Sequence, residues 1–204
     1  KLLILHSGLI YPKDRNPSTF FSAINSLLQK KMIERENLCI RFRAPYHAAE
    51  VLAYAQQYDL QDVGEVAPPV PYQRAIAEML GADLLVVFQG SSFNAQIPAK
   101  IYEYLRAARP VFAVVDPAGD TAAILRQFPG AYVADIASEM NIATNLEVAL
   151  ADLRGDRQSA ALQRNVDQVR RYSRKEQTMR LVTYLNAVLP QPEDDTENCR
   201  GNTE

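Results

Sequence analysis

The sequence has 204 residues, of which 22 are Lys or Arg and 24 are Asp or Glu, so its formal net charge is −2 at pH 7. A hydrophobic fraction of 48% and a charged fraction of 23% are ordinary for a folded globular protein and exclude a disordered chain or a fibrous repeat. The charge balance also excludes a polybasic nucleic-acid-binding protein, so we expect no nucleic-acid partner.

Strand-like and helix-like segments alternate along the chain. Short apolar runs predict six strands, and two of them are apolar throughout, which is typical of strands buried on both faces. Apolar residues at helical spacing predict eight helices, with Ile76, Met79 and Leu80 on the inner face of the third. In chain order, the strands are Leu2–Leu5, Leu38–Phe42, Val63–Val66, Leu84–Phe88, Val111–Val115 and Ala131–Val133, and the helices are Pro17–Lys30, His47–Tyr58, Tyr72–Leu80, Pro98–Ala108, Thr121–Phe128, Ser138–Leu153, Asp156–Tyr172 and Ser173–Leu189.

This alternation predicts an α/β fold: a doubly wound, six-stranded parallel sheet of the Rossmann-like kind, with helices on both faces. In the common strand order 3-2-1-4-5-6, a ligand crevice lies between the carboxyl ends of the first and fourth strands. The loops after these strands, 6–16 and 89–97, are the longest strand-to-helix loops and are expected to bind the ligand. We predict one domain over 1–189, with extra C-terminal helices, and a polar flexible tail over 190–204.

The two cysteines predict neither a disulfide framework nor a metal site. Cys39 lies in an apolar run and is expected to be a small core residue, whereas Cys199 lies in the polar tail. Such different settings favour a reducing compartment, so we expect a cytoplasmic protein. No apolar run approaches the length of about 18–20 residues that a membrane span needs, so none is expected in this sequence.

The first loop predicts an anion site. Gly8 allows a close approach of the backbone, and Lys13 and Arg15 place two cations just before the helix that begins near Pro17. Cations and free N–H groups at a helix end together suit a phosphate. A solvated loop, in which Asp14 pairs with a neighbouring cation, is an equal alternative at this point.

The second loop has small polar residues, and Pro98 then opens a helix whose free N–H groups near Ala99 and Lys100 are candidates to face a phosphate. The glycine motifs of nucleoside-triphosphate hydrolases and of dinucleotide-binding proteins are both missing, so neither function is favoured. Ser92 lacks the surroundings of a nucleophile and is expected to be a capping residue. Glu103 is either an acceptor for vicinal sugar hydroxyls or a surface partner of Lys100.

Residues 97–111, IPAKIYEYLRAARPV, closely resemble the donor-binding helix of family 4 glycosyltransferases, which have the GT-B fold. His6-Ser7-Gly8 followed by Arg15 looks like the first strand and phosphate loop of that family's C-terminal domain, and residues 63–66, VGEV, look like its third strand. The resemblance covers roughly residues 1–150 in the right order. Because the sequence also begins with Lys1 and enters a strand at once, we expect it to be the donor half of a two-domain enzyme without its acceptor-binding domain.

The resemblance implies roles for individual residues. Arg15 matches the basic residue that reaches the donor diphosphate and stabilises it as a leaving group, which makes it the expected catalytic residue. Glu103 matches the acid that binds the donor ribose. The other implied donor-binding residues are Gly8 at the diphosphate, Glu65 and Val66 at the base, and Gln96, Ile97, Pro98, Ala99 and Lys100 at the phosphate or sugar.

Two positions depart from the family's pattern. The first acid of its Glu-x7-Glu motif falls on Ala95, and the usual arginine after the glycine falls on Leu9. A common second cation is therefore missing unless Lys13 or Lys100 replaces it.

The resemblance implies transfer of a sugar from a nucleoside-diphosphate sugar to a hydroxyl acceptor, with retention at the anomeric carbon, in polysaccharide or glycan biosynthesis. The acceptor, a glycan or lipid-linked sugar, would bind through the other domain, which could also place the enzyme at the inner membrane face. The nucleotide sugar is a substrate, and neither a cofactor nor a metal is expected. Two alternatives stay open: a sugar-nucleotide epimerase of the same fold, and a non-catalytic assembly module that has lost donor binding.

Overall fold

The computed structural model of the chain describes residues 1–11, 14–155 and 166–189. The chain divides into two compact units, Lys1–Val166 and Asp167–Glu204. The first unit contains a six-stranded sheet of strand order 3-2-1-4-5-6, in which all neighbouring strands are parallel. The predicted α/β class, the doubly wound parallel sheet and its strand order are therefore confirmed. The predicted division into 1–189 and 190–204 stays a prediction.

The helices and strands follow one another much as the sequence predicts. The predicted helix Asp156–Tyr172 lies partly outside the described residues, which show a helix only over its later part. In chain order, the elements are β1 (Leu2–Ser7), α1 (Ser18–Gln29), β2 (Leu38–Arg43), α2 (Ala48–Gln57), β3 (Gly64–Ala67), α3 (Tyr72–Gly81), β4 (Leu84–Gln89), α4 (Lys100–Arg106), β5 (Val111–Val115), α5 (Asp120–Leu125), β6 (Ala131–Asp135), α6 (Glu139–Arg154), α7 (Val166–Arg170) and α8 (Arg174–Val188).

The strands differ in how they are buried. Every residue of β4 and β5 is buried, as their continuous apolar sequences predict. In β2 the burial alternates, because successive side chains of a strand point to opposite faces of the sheet. Cys39 therefore shares the less buried face with Arg41, and the prediction of a core cysteine is wrong because Cys39 is only half-buried.

Phenylalanine rings pack α1 onto one face of the sheet. Phe20 lies 5.4 Å from Phe88 in an edge-on arrangement, and Phe21 stacks on Phe42 at 5.6 Å. Such aromatic contacts add to the stabilisation from buried apolar area, so they fix α1 and the loop that precedes it. Less of α3 is buried. Leu80 of this helix is 46% exposed, so its predicted inward position is wrong, and Met79 is the only buried residue of α3.

β1 and β4 run further than the sequence predicts. Backbone pairing continues to Ser7 opposite Arg43 and to Gln89 opposite Val115. Polar residues at these strand ends interrupt the apolar pattern without interrupting the ladder of backbone hydrogen bonds. His6 and Gln89 are therefore buried strand residues, and the two long loops begin only after Ser7 and Gln89.

Candidate functional site

The two long loops leave the sheet side by side. β1 and β4 are neighbours through the pairs Ile4–Leu84 and Leu5–Leu85, at the point where the strand order reverses. In doubly wound sheets, ligands bind at the carboxyl ends of the strands at this reversal. The position therefore matches the predicted crevice.

Gly8 turns the chain out of β1 and brings the first loop close to α4. Its φ of +103° is a conformation that residues with a Cβ rarely adopt. A Cβ placed on Gly8 would lie 3.4 Å from Nζ of Lys100. The glycine predicted from the sequence thus allows contact between the backbone of the first loop and the side chain of Lys100.

A buried histidine lies beneath this contact. Nδ1 of His6 is 3.0 Å from the carbonyl oxygen of Val86, which can only accept, so we assign the ring proton to Nδ1. Nε2 then presents a lone pair to Nζ of Lys100 at 3.1 Å. Burial, and next the charge of Lys100, hold the pKa of His6 well below its usual value, so the ring is neutral at pH 7.

Lys100 is half-buried and meets this neutral ring rather than a carboxylate. Burial, followed by the positive charge of Arg15, lowers the pKa of Lys100 to about 7, against an opposing effect of Glu103. The described residues offer Lys100 no ion pair with a carboxylate. Lys100 is therefore a cation at the crevice whose charge the protein itself compensates poorly.

Arg15 is the second cation at this place. Its Nε atom is buried and has no hydrogen-bond partner among the described residues, and its guanidinium carbon lies 5.1 Å from the centre of the Tyr11 ring. A buried donor without a partner is rare in folded proteins because it costs free energy. The other predicted cation, Lys13, lies outside the described residues.

The first loop also bonds to the start of the second. The N–H group of Gly90 donates to the carbonyl oxygen of Asp14, with 2.5 Å between nitrogen and oxygen. A Cβ on Gly90 would collide with that same oxygen, so the contact requires glycine. The loop that carries Arg15 is thereby tied to the end of β4.

Gln89 organises the second loop from inside the protein. Its Nε2 donates to the carbonyl oxygens of Phe93 and Gln96 at 2.6 and 2.7 Å, and its Oε1 accepts from Oγ1 of Thr121 at 2.5 Å. The N–H group of Gln96 donates to the carbonyl oxygen of Phe93. Both backbone polar groups of Gln96 are therefore hydrogen-bonded within the protein. Ile97 and Pro98 are half-buried and Ala99 is exposed, directly before the seven-residue helix α4.

Glu103 lies on α4, one turn beyond Lys100, but the two do not form the surface pair that was the alternative interpretation. Oε1 of Glu103 accepts from the hydroxyl group of Tyr72 at 3.2 Å, whereas Nζ of Lys100 faces His6. The next residue, Tyr104, is buried and accepts a hydrogen bond from the N–H of Ser7 at 2.9 Å. This bond holds α4 against the end of β1.

Glu65 and Val66 lie farther from this group. They belong to β3, which is separated from β1 by β2 and hence by about 10 Å, since neighbouring strands lie about 4.8 Å apart. The carboxylate of Glu65 pairs with Arg41, and Val66 packs against the hydrophobic core. The structure therefore brings Gly8, Arg15 and Lys100 together, while the base-binding role of Glu65 and Val66 stays a prediction.

His6, Gln89 and Tyr72 are site residues that sequence reasoning missed. His6 and Gln89 stand at the ends of apolar strands, where a polar residue interrupts the pattern, and this is the feature from which they could have been found. Within the described part of the chain, no cluster of three His, Cys, Asp or Glu side chains suits a metal ion. In that same part, none of the helices has the length and apolar character that crossing a membrane requires.

No protein-family model matches this sequence, and no curated protein matches it. Solved structures match it in fold. Sucrose-phosphate synthase from Thermosynechococcus elongatus has a TM-score of 0.68 at 13% identity, and the match covers 92% of this chain and 46% of that one. The α,α-trehalose 6-phosphate synthase from Burkholderia multivorans has a TM-score of 0.67 at 15% identity, covering 92% and 42%. WaaG, a glycosyltransferase involved in lipopolysaccharide biosynthesis, has a TM-score of 0.62 at 18% identity, covering 84% and 42%.

This chain thus spans less than half the length of each of these three structures. At such low identities the likeness shows the fold. The chain has the Rossmann-like α/β fold found in one half of these GT-B glycosyltransferases.

Proposed function

We propose that this chain is the donor-binding part of a glycosyltransferase, and that the diphosphate of a nucleoside-diphosphate sugar lies between the ends of β1 and β4. The observation that carries the proposal is the pairing of two cations, Arg15 and Lys100, neither of which forms an ion pair with a carboxylate of the described residues. Arg15 has a buried donor that finds no partner among the described residues. Lys100 contacts a neutral ring at 3.1 Å, and its pKa is lowered partly by the charge of Arg15. A dianionic ligand would satisfy the free donor and offset the repulsion between the two charges.

In this proposal the cations stabilise the diphosphate as a leaving group. When the bond between the sugar and the diphosphate breaks, negative charge grows on the leaving phosphate oxygen. Cations fixed in a partly buried site stabilise that charge more in the transition state than in the bound substrate. We assign this catalytic role to Arg15, with Lys100 beside it in place of the family's second cation and Gly8 allowing the backbone to approach the phosphates.

The remaining parts of the donor are assigned around this anchor. Glu103 is one turn along α4 from Lys100 and has a carboxylate oxygen suited to ribose hydroxyls. The backbone of 96–99 directly precedes Lys100 and would contact phosphate or sugar, while Glu65 and Val66 would lie by the base. The proposal includes membership in family 4, retention at the anomeric carbon, a glycan or lipid-linked acceptor bound by another domain, and no cofactor. No contact in the described site favours the epimerase or the assembly module.

Binding measurements test the assignment directly. The 204-residue chain is titrated with uridine, guanosine and adenosine diphosphates and with the three nucleosides, each in a calorimeter. We expect at least one diphosphate to bind, and Arg15→Ala to weaken it by about tenfold or more, because a charge-assisted hydrogen bond contributes about 1.5–3 kcal/mol. The nucleoside, which lacks phosphate, should bind the variant and the wild type equally.

The matched control is Arg154→Ala, which removes one arginine charge from the C-terminal end of α6. This variant should bind diphosphate as the wild type does. A wild type that binds none of the three diphosphates would refute the donor-binding function. An equal loss of diphosphate and nucleoside affinity in Arg15→Ala would refute the phosphate assignment alone.

A further inference from the structure

We propose that His6 is a positioning residue of the anion site: its neutral ring accepts a hydrogen bond from Lys100 and holds that ammonium group against Gly8, where it meets the donor diphosphate. A second part of the proposal is that Lys100 takes up a proton when the diphosphate binds. The inference rests on the proposed function, because the anion it concerns is the donor.

The ring of His6 is held in one orientation. It is fully buried in β1, between the rings of Phe42 at 5.8 Å and Phe88 at 5.4 Å. The carbonyl oxygen of Val86 takes the proton on Nδ1, which fixes the acceptor lone pair on Nε2. The hydrogen bond from Nδ1 thereby makes Nε2 a hydrogen-bond acceptor.

Lys100 needs such a fixed partner. A lysine side chain has four flexible carbons and a compact ammonium group with three donors. The bond to Nε2 of His6, at 3.1 Å, uses one donor and leaves two for a ligand beside Gly8. Because His6 is neutral, it aims the ammonium group without neutralising its charge, which a carboxylate in the same place would do.

The charged and titratable groups around Lys100 explain the proton uptake. His6 faces it from β1, Arg15 from the loop after β1, and Glu103 from its own helix. With a pKa of about 7, the free lysine is only partly protonated near neutral pH. A diphosphate placed against it favours the charged form, so binding draws a proton from solution.

The test uses UDP-glucose, GDP-mannose and ADP-glucose with the 204-residue chain. Their diphosphates are esterified at both ends and keep a constant charge near neutral pH, unlike a terminal phosphate, whose second pKa is about 6. Affinity therefore reports the protonation of the protein. The tightest of the three is titrated from about pH 6 to about pH 9, in buffers of different ionisation enthalpy, so that the calorimeter also counts protons.

Three variants separate the roles. His6→Phe keeps an aromatic ring but has no acceptor, His6→Gln keeps an oxygen near the position of Nε2, and Lys100→Met keeps the chain length without charge. We expect His6→Phe and Lys100→Met to bind about tenfold more weakly at pH 7, the loss typical of one charge-assisted contact, and His6→Gln to retain most of the affinity. In the wild type, affinity should fall above pH 7 with proton uptake, and Lys100→Met should show neither.

The possible outcomes decide between the two proposals. Binding without proton uptake in the wild type would overturn the proposed protonation of Lys100. Equal affinities of His6→Phe and wild type would overturn the role of His6. Either result would leave the donor-binding function standing. If none of the three sugar nucleotides binds the wild type, the donor-binding function falls and this inference with it. If His6→Phe does not fold, a folded His6→Gln variant that binds as weakly as Lys100→Met would overturn the role of His6. The wild-type proton count then still tests the protonation of Lys100.

Discussion

Thr121 donates a buried hydrogen bond to Gln89, with 2.5 Å between Oγ1 of Thr121 and Oε1 of Gln89. The amide of Gln89 in turn donates to the carbonyl oxygens of Phe93 and Gln96. A side chain at the end of a fully buried strand therefore holds the loop that leads to α4. The stability of the core and the shape of the candidate site depend on the same hydrogen bonds.

The first prediction concerns this relationship. Thr121→Val keeps the side-chain shape but leaves Oε1 of Gln89 without its donor, and a buried polar atom without a partner costs about 1–3 kcal/mol. Urea denaturation should show a loss of that size in the free energy of unfolding. The control is Thr144→Val on the exposed side of α6, which should change stability by about 0.5 kcal/mol or less. Equal effects of the two substitutions would show that the bond contributes nothing.

A second prediction concerns the ion pairs between β2 and α3. Glu78 accepts hydrogen bonds from both Arg41 and Arg43, and its side chain is only 12% exposed, whereas Glu65 is 46% exposed and pairs with one arginine, Arg41. Glu78→Gln should therefore lower the free energy of unfolding by about 1–3 kcal/mol. Glu65→Gln should cost about 0–1 kcal/mol, as exposed pairs do.

The difference in unfolding free energy between wild type and Glu78→Gln should depend on pH if its origin is electrostatic. Hydrogen bonds from Arg43, and then from Arg41, hold the pKa of Glu78 below its usual value. The folded state binds the carboxyl proton of Glu78 less readily than the unfolded state does. The stabilisation is therefore present above the usual carboxylate pKa and is lost as the pH falls through the lowered pKa of the folded state. The wild type and Glu78→Gln should thus converge in acid. A gap that stays constant down to about pH 2 would argue for a packing effect instead.

Much of the fold follows from the sequence because burial leaves a local pattern. The uninterrupted apolar runs of β4 and β5 predict doubly buried strands, and alternation with helices predicts the parallel sheet. The strand ends are harder to predict, because backbone pairing through Ser7 and Gln89 does not depend on apolar side chains. The inner face of α3 is mispredicted at Leu80 because this short helix lies beside β1 and β2 and meets β2 through ion pairs of Glu78, so that Met79 is its only buried residue.

The candidate site is predictable only in part. Gly8, Arg15 and Lys100 stand next to helix starts or turns, where the local sequence by itself suggests a role. The partners that tune them are distant in sequence: 94 positions separate His6 from Lys100, and 31 separate Tyr72 from Glu103. A local pattern carries no information about such contacts, because the folded sheet alone brings them together.

A third prediction concerns stability and the charge of Lys100. Its pKa in the folded chain, about 7, lies below the ordinary lysine value of 10.5, so between these values the unfolded chain binds one proton more. Stability should therefore rise with pH over this range, by up to about 1.4 kcal/mol per pH unit. Lys100→Met should lack this increase. Its free energy of unfolding should exceed that of the wild type most at low pH, where the half-buried Lys100 of the wild type is charged.

Urea denaturation of both proteins at about pH 6, 8 and 9 measures the difference between their unfolding free energies. The control is Lys30→Met, at the exposed end of α1, which should follow the wild type at each pH. If the curves of wild type and Lys100→Met ran parallel, Lys100 would have an ordinary pKa in the folded chain. The proton uptake proposed for ligand binding would then lose its basis.

The last prediction concerns Glu103 and the sugar of the nucleotide. An ionised carboxylate accepts from both vicinal hydroxyls of a ribose, whereas an amide offers only one acceptor oxygen. Glu103→Gln is nearly isosteric, so the buried face of α4, with Ile101 and Leu105, should stay packed. In competition binding, the wild type should prefer ribonucleotides over 2′-deoxyribonucleotides, and Glu103→Gln should lose most of that preference.

Tyr72→Phe is the control for this experiment, because Tyr72 is the side chain that donates to Glu103 in the structure. Removing the hydroxyl frees an acceptor on Glu103 but keeps its charge, so the preference for ribose should persist. If Glu103 served only to hold Tyr72, both variants would instead lose the same stability and neither would change the preference. If Glu103→Gln kept the preference for ribonucleotides, Glu103 would not bind the ribose. Its role on α4 would be structural, and the ribose hydroxyls would bind elsewhere in the crevice.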